Sequence, residues 1–239
     1  MKAYGRGEQD FKDYFDSIYG RSDILSPEEY ENTSHLYHFY YGNFLPKDIN
    51  APILDIGCGA GHFLFYLKKI GYKNFTGIDL SPDNIEHCKV NIAPNVQLAD
   101  AFAYLVKKKS MYCVISANDV IEHIPKERVI KLLRLMYRAL RPGGILLLRI
   151  PNMSNPFSIQ MRYRDFTHEC GFTEKSIYQV LHLAGFRDIQ INASWTDKKA
   201  IKSYIRKIVL RKLFWFLGGC NAPEILSCLL IVIAKKSDA

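Results

Sequence analysis

The residues most suited to bind a ligand lie at 53–63, where an apolar run meets glycines at positions 57, 59 and 61. Such a run, followed by a helical pattern, predicts a strand, a tight turn and the start of a helix. Because glycines carry no Cβ atom, a ligand can lie directly against the turn. A second predicted strand, 75–79, ends in Asp79. In a right-handed βαβ unit the two strand ends are neighbours, so we expect Asp79 to accept hydrogen bonds from the hydroxyls of a ribose.

The spacing within the turn distinguishes between cofactors that carry a ribose. A dinucleotide site needs G-x-G-x-x-G, which places a pyrophosphate on the helix N-terminus. Here the spacing is G-x-G-x-G, and His62 occupies the place of the final glycine. Asp55, just before the turn, repels phosphates but can bind an ammonium group directly or through water. These features favour S-adenosylmethionine; a dinucleotide site and a turn that only connects two elements are the alternatives.

Two motifs of the chain resemble the class I S-adenosylmethionine-dependent methyltransferases, in the branch called type 11/12. They are L-D-I-G-C-G-A-G-H-F at 54–63 and N-D-V-I-E-H-I at 118–124. The resemblance implies an α/β fold with a Rossmann-like, mainly parallel sheet of seven strands, helices on both faces and an antiparallel final hairpin. It further implies that the residues binding the cofactor are Asp55, Gly57, Cys58, Gly59, Asp79, Leu80, Asp100, Ala101, Asn118, Asp119 and Val120.

Asp100 follows the predicted third strand at 96–99. In the fold that the resemblance implies, this aspartate lies beside the adenine and accepts a hydrogen bond from its exocyclic amine. The backbone N–H of Ala101 then donates to a ring nitrogen. As an alternative, Asp100 is an ordinary loop aspartate that caps a helix at 101–106.

Three ionisable residues, Asp119, Glu122 and His123, follow the predicted fourth strand at 112–117. Ligands bind at this edge of such sheets, and the resemblance implies that His123 faces the methyl acceptor. A histidine has a pKa near neutrality and can take a proton from an acceptor hydroxyl. We therefore predict His123 as the general base and Glu122 as a residue that binds the acceptor. In the alternative interpretation the two residues only begin a helix, where a glutamate is favourable.

A long loop at 152–170 lies at the same predicted edge, where functional loops concentrate. Its sequence R-Y-R-D-F-T-H-E-x-G-F-T is similar to methyltransferases of bacterial surface-polysaccharide gene clusters, which implies a sugar acceptor. We predict that Arg162 and Arg164 hold a phosphate of a nucleotide- or lipid-linked sugar, that Asp165 binds sugar hydroxyls and that His168 is the second candidate base. The alternative is a loop that ion pairs merely hold together.

The sequence assigns no residue to a metal ion. His123, Asp165, His168 and Glu169 can converge on magnesium, as in some sugar methyltransferases, but their spacing is not diagnostic. We therefore predict no metal site at this stage.

The 239 residues, 48% of them hydrophobic, suffice for one large α/β domain with additions. We divide the chain into an N-terminal helical cap at 1–50, a cofactor-binding core at 51–194, a basic helical insert at 195–228, and a final strand with its tail at 229–239. The cap contains seven of the fifteen tyrosines and predicts two or three short helices, which cover the cofactor or pack on the sheet edge.

The insert combines basic residues at 197–212 with apolar residues at helical spacing and a following aromatic cluster at 213–217. This pattern predicts an amphipathic helix, and residues 197–217 can contact a membrane surface. A helical hairpin over the sheet edge, or a dimer contact, is the alternative.

Charge, cysteines and hydropathy bear on partners and compartment. The net charge of +8 permits an acidic partner. Six cysteines without zinc spacing predict free thiols in a reducing cytoplasm. The first ten residues contain no apolar segment, and the longest apolar tract, 213–234, is interrupted by a proline and a glutamate. We therefore predict a cytoplasmic protein without a secretory signal or a membrane-spanning helix.

Taken together, these features predict an enzyme that methylates a hydroxyl of a nucleotide sugar or a surface glycan and releases S-adenosylhomocysteine. Two alternatives are a methyltransferase for small phenols or quinone precursors, which share the EH motif, and a catalytically silent cofactor-binding partner of glycosyltransferases. A nucleic-acid acceptor is disfavoured, because the chain has no added RNA-binding module and no NPPY-like tetrad after strand four. The oligomeric state is left open, with a dimer as one option.

Overall fold

Seven strands form one sheet in a computed structural model that describes residues 23–194, 200–218 and 221–238. The strands are β1 (Ile53–Ile56), β2 (Phe75–Asp79), β3 (Val96–Leu98), β4 (Tyr112–Asn118), β5 (Leu140–Pro151), β6 (Asp188–Ala193) and β7 (Leu229–Lys235). Their order across the sheet is β3-β2-β1-β4-β5-β7-β6. Strands β1 to β5 run parallel, and β7 runs antiparallel to both of its neighbours. The predicted sheet and its antiparallel final hairpin are confirmed.

Helices cover both faces of the sheet. They are α1 (Pro27–Tyr41), α2 (His62–Lys69), α3 (Pro82–Asn91), α4 (Ala101–Leu105), α5 (Lys126–Ala139), α6 (Ile159–Arg164), α7 (Glu174–Ala184) and α8 (Ala200–Gly218). Successive residues of a strand point to opposite faces, so Val114 packs with α1, α2 and α3, while Ile115 packs with α5 and α7. The sheet is thereby buried on both sides.

Two helix starts in the core lie where the sequence predicts them, from the capping residues Ser81 before Pro82 and Thr173 before Glu174. The Ser81 hydroxyl accepts a hydrogen bond from the backbone of Asn84 at 3.2 Å, which caps α3. The Thr173 hydroxyl caps α7 by accepting a hydrogen bond from the backbone N–H of Ser176 at 3.2 Å. Gly185 ends that helix in a left-handed conformation with φ +118°. These caps satisfy backbone groups that would otherwise lack partners.

The start of β5 differs from the prediction. The sequence R-P-G-G at 141–144 by itself predicts the end of α5 and a turn, but β5 begins at Leu140, which pairs with Tyr112 of β4. The register then shifts before Ile145 pairs with Val114, and Gly143 takes φ +70° within this irregularity. Pairing with β4 therefore extends the strand through residues that by themselves predict a turn.

Both predicted additions are present in part. Of the helices expected at 1–50, the described residues contain α1 and two single turns of 3-10 helix at 23–25 and 42–44, while residues 1–22 lie outside the described chain. The insert forms α8, whose end exposes Trp215, Phe216 and Leu217. Contact between this helix and a membrane surface stays a prediction, and residues 197–199 lie outside the described part. Within that part, none of the helices has the length and apolar character needed to cross a bilayer.

Tyrosines attach α1 to the edge of the sheet where β1 and β4 end. The Tyr30 hydroxyl donates to the carbonyl of Ala60 at 2.7 Å, and the fully buried Tyr41 hydroxyl donates to Oδ1 of Asn118 at 2.7 Å. The Tyr37 ring packs edge-on against Phe63 of α2 at 5.1 Å. Helix α1 therefore packs on α2 and contacts residues of the predicted cofactor site.

Replacing Tyr41 by Phe tests this attachment. We expect Tyr41→Phe to lower the free energy of unfolding by about 1 kcal/mol, because it removes the donor to the half-buried amide oxygen of Asn118. Urea denaturation gives the measurement, and Tyr178→Phe, at a half-exposed position on α7, is the matched control. Equal unfolding midpoints for the two variants would contradict the role of this hydrogen bond.

Candidate active site

A cavity of about 1270 Å³ lies at the carboxyl edge of the parallel strands. Its wall is formed by the glycine turn after β1, the ends of β2 and β3, the segment 118–125 after β4, part of α1 and part of the loop that follows β5. All eleven residues predicted to bind the cofactor line this cavity. The cavity therefore unites segments that are distant in the sequence, at the edge where such sheets bind ligands.

Gly57 shows why the turn after β1 needs a glycine. Its φ is +63°, and an added Cβ atom would lie 2.5 Å from Cγ2 of Val120. Side chains avoid this backbone conformation, and the contact is shorter than van der Waals packing permits. Glycine thus lets the turn and the segment after β4 approach each other at the cavity wall.

Asp79 is anchored by three protein donors. Oδ2 accepts from the Gly59 N–H at 2.8 Å, and Oδ1 accepts from the Ser81 N–H at 2.8 Å and from Nδ2 of Asn84 at 3.2 Å. Burial raises the pKa of Asp79, and these bonds counteract the shift. A carboxylate accepts about four hydrogen bonds. The hydroxyls of a ribose would therefore compete with the protein donors for the lone pairs of Asp79.

Asp55 is a buried acid with one donor, the Ser116 hydroxyl at 2.7 Å. Burial raises the pKa of Asp55 to about 7, although the bond from Ser116 favours the ionised form. Near neutral pH its carboxyl group is therefore divided between neutral and charged forms. A bound cation would shift this balance toward the carboxylate.

Asp100 caps a helix and also lies in the cavity wall. Its Oδ1 accepts from the backbone of Ala103 at 2.9 Å and caps α4. Both Asp100 and Ala101 also line the cavity. The capping interpretation is thus correct for one oxygen, and the contact with adenine stays a prediction.

The sequence interpretation missed Arg149 of β5, which lies in the cavity wall. Its Nε donates to Oδ2 of Asp119 at 2.9 Å, a second guanidinium nitrogen contacts the same oxygen, and the group lies over the ring of Tyr37. The left-handed conformation of Asp119, φ +54°, accompanies this pair. The available signal was a single arginine within the otherwise apolar run 145–150, since a buried charge needs a partner.

Glu122 is 1% exposed, and neither of its carboxylate oxygens has a hydrogen-bond partner among the described residues. Burial raises its pKa well above the usual range, and the negative charge of Asp119 adds to the shift. Its main-chain carbonyl accepts from Glu169 at 2.8 Å and from Cys170 at 3.0 Å. The loop after β5 is thereby attached to the segment after β4.

A hydrogen-bond chain orients His123. The Thr167 hydroxyl donates to Oδ1 of Asp165 at 2.6 Å, and Nδ1 of His123 lies 2.8 Å from the same hydroxyl oxygen. Because the single hydroxyl proton is directed to the carboxylate, Nδ1 of His123 is the donor to Thr167. This tautomer carries its lone pair on Nε2. Thr167, which the sequence interpretation did not select, therefore determines which nitrogen of His123 is basic.

His168 lies beside His123, with the two ring centroids 4.5 Å apart and the rings at 72°. Its Nδ1 is buried and has no hydrogen-bond partner within the described chain. Burial lowers the pKa of His168, which favours the neutral imidazole. Both histidines that the sequence proposed as bases thus lie together in the cavity wall.

Of the two arginines that were predicted to bind phosphate, only Arg164 lines the cavity. Arg164 is exposed and lines the cavity. The Arg162 guanidinium instead donates to the main-chain carbonyls of His168 and Glu169 and lies outside the cavity wall. These donors stabilise the loop, as the alternative interpretation proposed, and binding of the acceptor by Arg162 stays a prediction.

Comparison with known proteins identifies the family. A family profile described as a methyltransferase domain matches residues 32–191, well over half of the chain. The chain therefore belongs to this methyltransferase family. Carboxy-S-adenosyl-L-methionine synthase of Desulfotalea psychrophila is 27% identical over 143 residues, which cover 54% of this chain. The match spans only 58% of the length of that relative.

Two solved structures share the fold. A SAM-dependent methyltransferase from Archaeoglobus fulgidus superposes with a TM-score of 0.68 at 23% identity, covering 93% of this chain and 98% of that one. Phosphoethanolamine N-methyltransferase 2 of Haemonchus contortus, in complex with S-adenosyl-L-methionine, gives 0.58 at 17%, covering 95% and 60%. The neighbours confirm the predicted fold, and family membership confirms S-adenosylmethionine as the cofactor.

The glycine turn can be tested with two matched substitutions. We expect Gly57→Ala to weaken binding of S-adenosylmethionine at least about tenfold, a loss of about 1.4 kcal/mol, because the new methyl group meets Val120. Gly71→Ala is the control, since Gly71 also has positive φ but no atom within 4 Å of an added Cβ. Calorimetry should show unchanged affinity for the control. If both variants lose affinity equally, backbone strain and not the contact with Val120 is the cause.

Ionisation of Asp55 predicts a pH dependence of cofactor binding. Since its pKa is about 7, a ligand ammonium that needs the carboxylate should bind about tenfold more tightly at pH 8 than at pH 6. Affinity should rise with pH and level off above the pKa. Titration with S-adenosylhomocysteine, which keeps the ammonium group, gives the measurement. Asp55→Asn should bind weakly with no such slope, and an affinity of the unaltered chain that falls with pH would reject this role.

Proposed function

We propose that the chain transfers the methyl group of S-adenosylmethionine to a hydroxyl of a sugar, carried by a nucleotide or a surface glycan. One observation supports this acceptor most directly: six of the side chains that line the cavity can bind hydroxyl groups. They are Glu122, His123, Arg164, Asp165, His168 and Glu169. A sugar offers several hydroxyls that both donate and accept hydrogen bonds, so this lining suits it better than it suits the apolar ring of a phenol.

The position of Arg164 supports an acceptor that also carries phosphate. It is exposed, it lines the cavity, and no ion pair involving it is found in the described chain. A guanidinium group binds a phosphate through paired N–H donors. A nucleotide sugar or a lipid-linked sugar supplies such a group beside its hydroxyls.

The reaction is an in-line displacement. A lone pair of the acceptor oxygen attacks the methyl carbon, the carbon–sulfur bond breaks, and its electron pair returns to sulfur as neutral S-adenosylhomocysteine. Because the sulfonium already activates the methyl group, the protein mainly aligns the reactants and excludes water. The acceptor hydroxyl must also lose its proton. The cluster formed by Glu122, His123 and His168 is where the cavity offers groups for this step.

His123 is the residue in that cluster whose loss we expect to affect turnover most. His123→Ala should lower turnover by about 10²–10⁴-fold and leave the affinity for S-adenosylmethionine within about threefold, since the cofactor contacts lie elsewhere. His182→Ala, at an exposed position on α7, is the matched control. Release of S-adenosylhomocysteine and calorimetry provide the two measurements. Unchanged turnover in His123→Ala would remove His123 from the reaction.

The acceptor class is tested with a panel of nucleotide sugars, simple phenols and phosphoethanolamine. We expect methylated products, detected by mass spectrometry, from at least one nucleotide sugar and not from the other two classes. Product from phenols or phosphoethanolamine alone would replace the sugar by that acceptor. Binding of S-adenosylmethionine without product from any class would instead support the catalytically silent partner.

A further inference from the structure

Three side chains of the cavity wall bring potential metal ligands together. One ligand atom each from Glu122, His123 and His168 lies within 4.8 Å of the other two. With metal–ligand bonds of about 2.1 Å, two ligands of one ion lie at most about 4.2 Å apart. Three ligands spread evenly around one ion at that bond length lie about 3.6 Å apart, so an inward movement of at most about 0.7 Å by each atom brings all three into contact with it.

Two members of this cluster have polar atoms that lack partners. Both oxygens of Glu122 and Nδ1 of His168 are buried without a hydrogen bond inside the described chain. Burying such groups without a partner is costly. Charges of both signs surround the site, from the carboxylates of Asp119 and Asp165 and from the guanidinium groups of Arg149 and Arg162. These orphaned atoms point to a ligand that the protein itself does not supply.

The orientation of His123 agrees with a ligand role. Its Nδ1 donates to Thr167, which in turn donates to Asp165, so the lone pair lies on Nε2. Metal-bound histidines commonly donate their other ring N–H to a hydrogen-bonding partner in this manner, which fixes the tautomer and the ring. The chain thus prepares one nitrogen of His123 for coordination.

We propose that Glu122, His123 and His168 bind one divalent first-row transition cation, such as Mn²⁺, Fe²⁺, Co²⁺ or Zn²⁺, which in turn coordinates the acceptor hydroxyl. Two imidazoles and one carboxylate suit these ions better than magnesium, which prefers oxygen ligands and retains water. Three protein ligands leave coordination positions for the acceptor. The ligand set differs from the one considered from the sequence, since Glu122 replaces Asp165 and Glu169.

The consequence for catalysis rests on the proposed function. A cation lowers the pKa of a coordinated hydroxyl, and the released proton passes to water. The resulting oxygen nucleophile attacks the methyl carbon, the electron pair of the carbon–sulfur bond goes to sulfur, and the ion is unchanged. In this assignment His123 holds the cation through Nε2, so the proton does not pass to its imidazole.

Metal binding is tested on the full chain after treatment with a chelator. We expect Co²⁺ to bind with visible absorption bands typical of nitrogen ligation, and Mn²⁺ to bind in calorimetry. Glu122→Gln and His168→Asn should each weaken binding of both ions by at least about 100-fold. Glu86→Gln and His182→Asn, at exposed positions outside the cavity, are the matched controls and should bind as the unaltered chain does.

A third pair of variants separates coordination from simple structural damage. Thr167→Val removes the hydroxyl that orients His123 and should weaken Co²⁺ binding about tenfold, whereas Thr167→Ser keeps the hydroxyl and should retain it. Without metal, Glu122→Gln should unfold at the same temperature or higher, because it removes a buried acid that lacks a partner. If this variant fails to fold, His168→Asn and the Thr167 pair still give the result.

The outcomes distinguish the site from the proposed function. No binding of Co²⁺ or Mn²⁺ at millimolar concentration, or equal binding by the ligand variants and their controls, would overturn the site. Full turnover by the chelator-treated chain would overturn the catalytic role of the cation while leaving sugar methylation intact. Cation binding that depends on Glu122 and His168, without methylation of any sugar, would reject the proposed function and leave the site standing.

Discussion

The parallel alignment of β1, β2 and β4 is the constraint on which the site depends. Asp55 of β1 lies in register with Gly77 on one side and Ser116 on the other. All three strands therefore deliver their carboxyl ends to one edge of the sheet. Backbone donors become available there because the ladder of strand hydrogen bonds ends, and the Gly59 N–H binds the carboxylate of Asp79. The cavity is thus a consequence of register and of the turns that follow each strand.

Burial then gives this edge its chemical character. Asp55 and Glu122 are both withdrawn from water, which raises both pKa values, but Asp55 has a hydroxyl donor while Glu122 has none in the described part of the chain. In each case a larger fraction of the carboxyl group is neutral than it would be in water, and a bound cation shifts the equilibrium back to the carboxylate. The sulfonium cofactor and a divalent metal are both cations. A bound cation can therefore offset the desolvation cost at both carboxyl groups.

Features that depend on local sequence could be predicted, and those that depend on distant contacts could not. The glycine turn and the caps at Ser81 and Thr173 are set by neighbouring residues, and their predicted positions agree with the structure. The start of β5 at Leu140 follows from pairing with β4, which overrides a local turn pattern. The site also contains a feature that depends on a distant contact, since the hydrogen bond between Thr167 and His123 joins residues 44 positions apart. No pattern within either segment contains that contact.

Glu122 distinguishes between two roles of His123, as the base that takes the proton of the acceptor and as a ligand of a cation. If His123 takes the proton, the orientation by Thr167 is sufficient, and a buried carboxylate without a partner has no part in the step. Such a group costs about 1–3 kcal/mol when left unsatisfied, and proton transfer to His123 supplies no new hydrogen-bond partner for it. If the three residues share a cation, Glu122 supplies charge, His168 supplies its orphaned Nδ1, and the orientation of His123 keeps its purpose. Coordination therefore explains three independent features of the cavity wall, whereas proton transfer explains one.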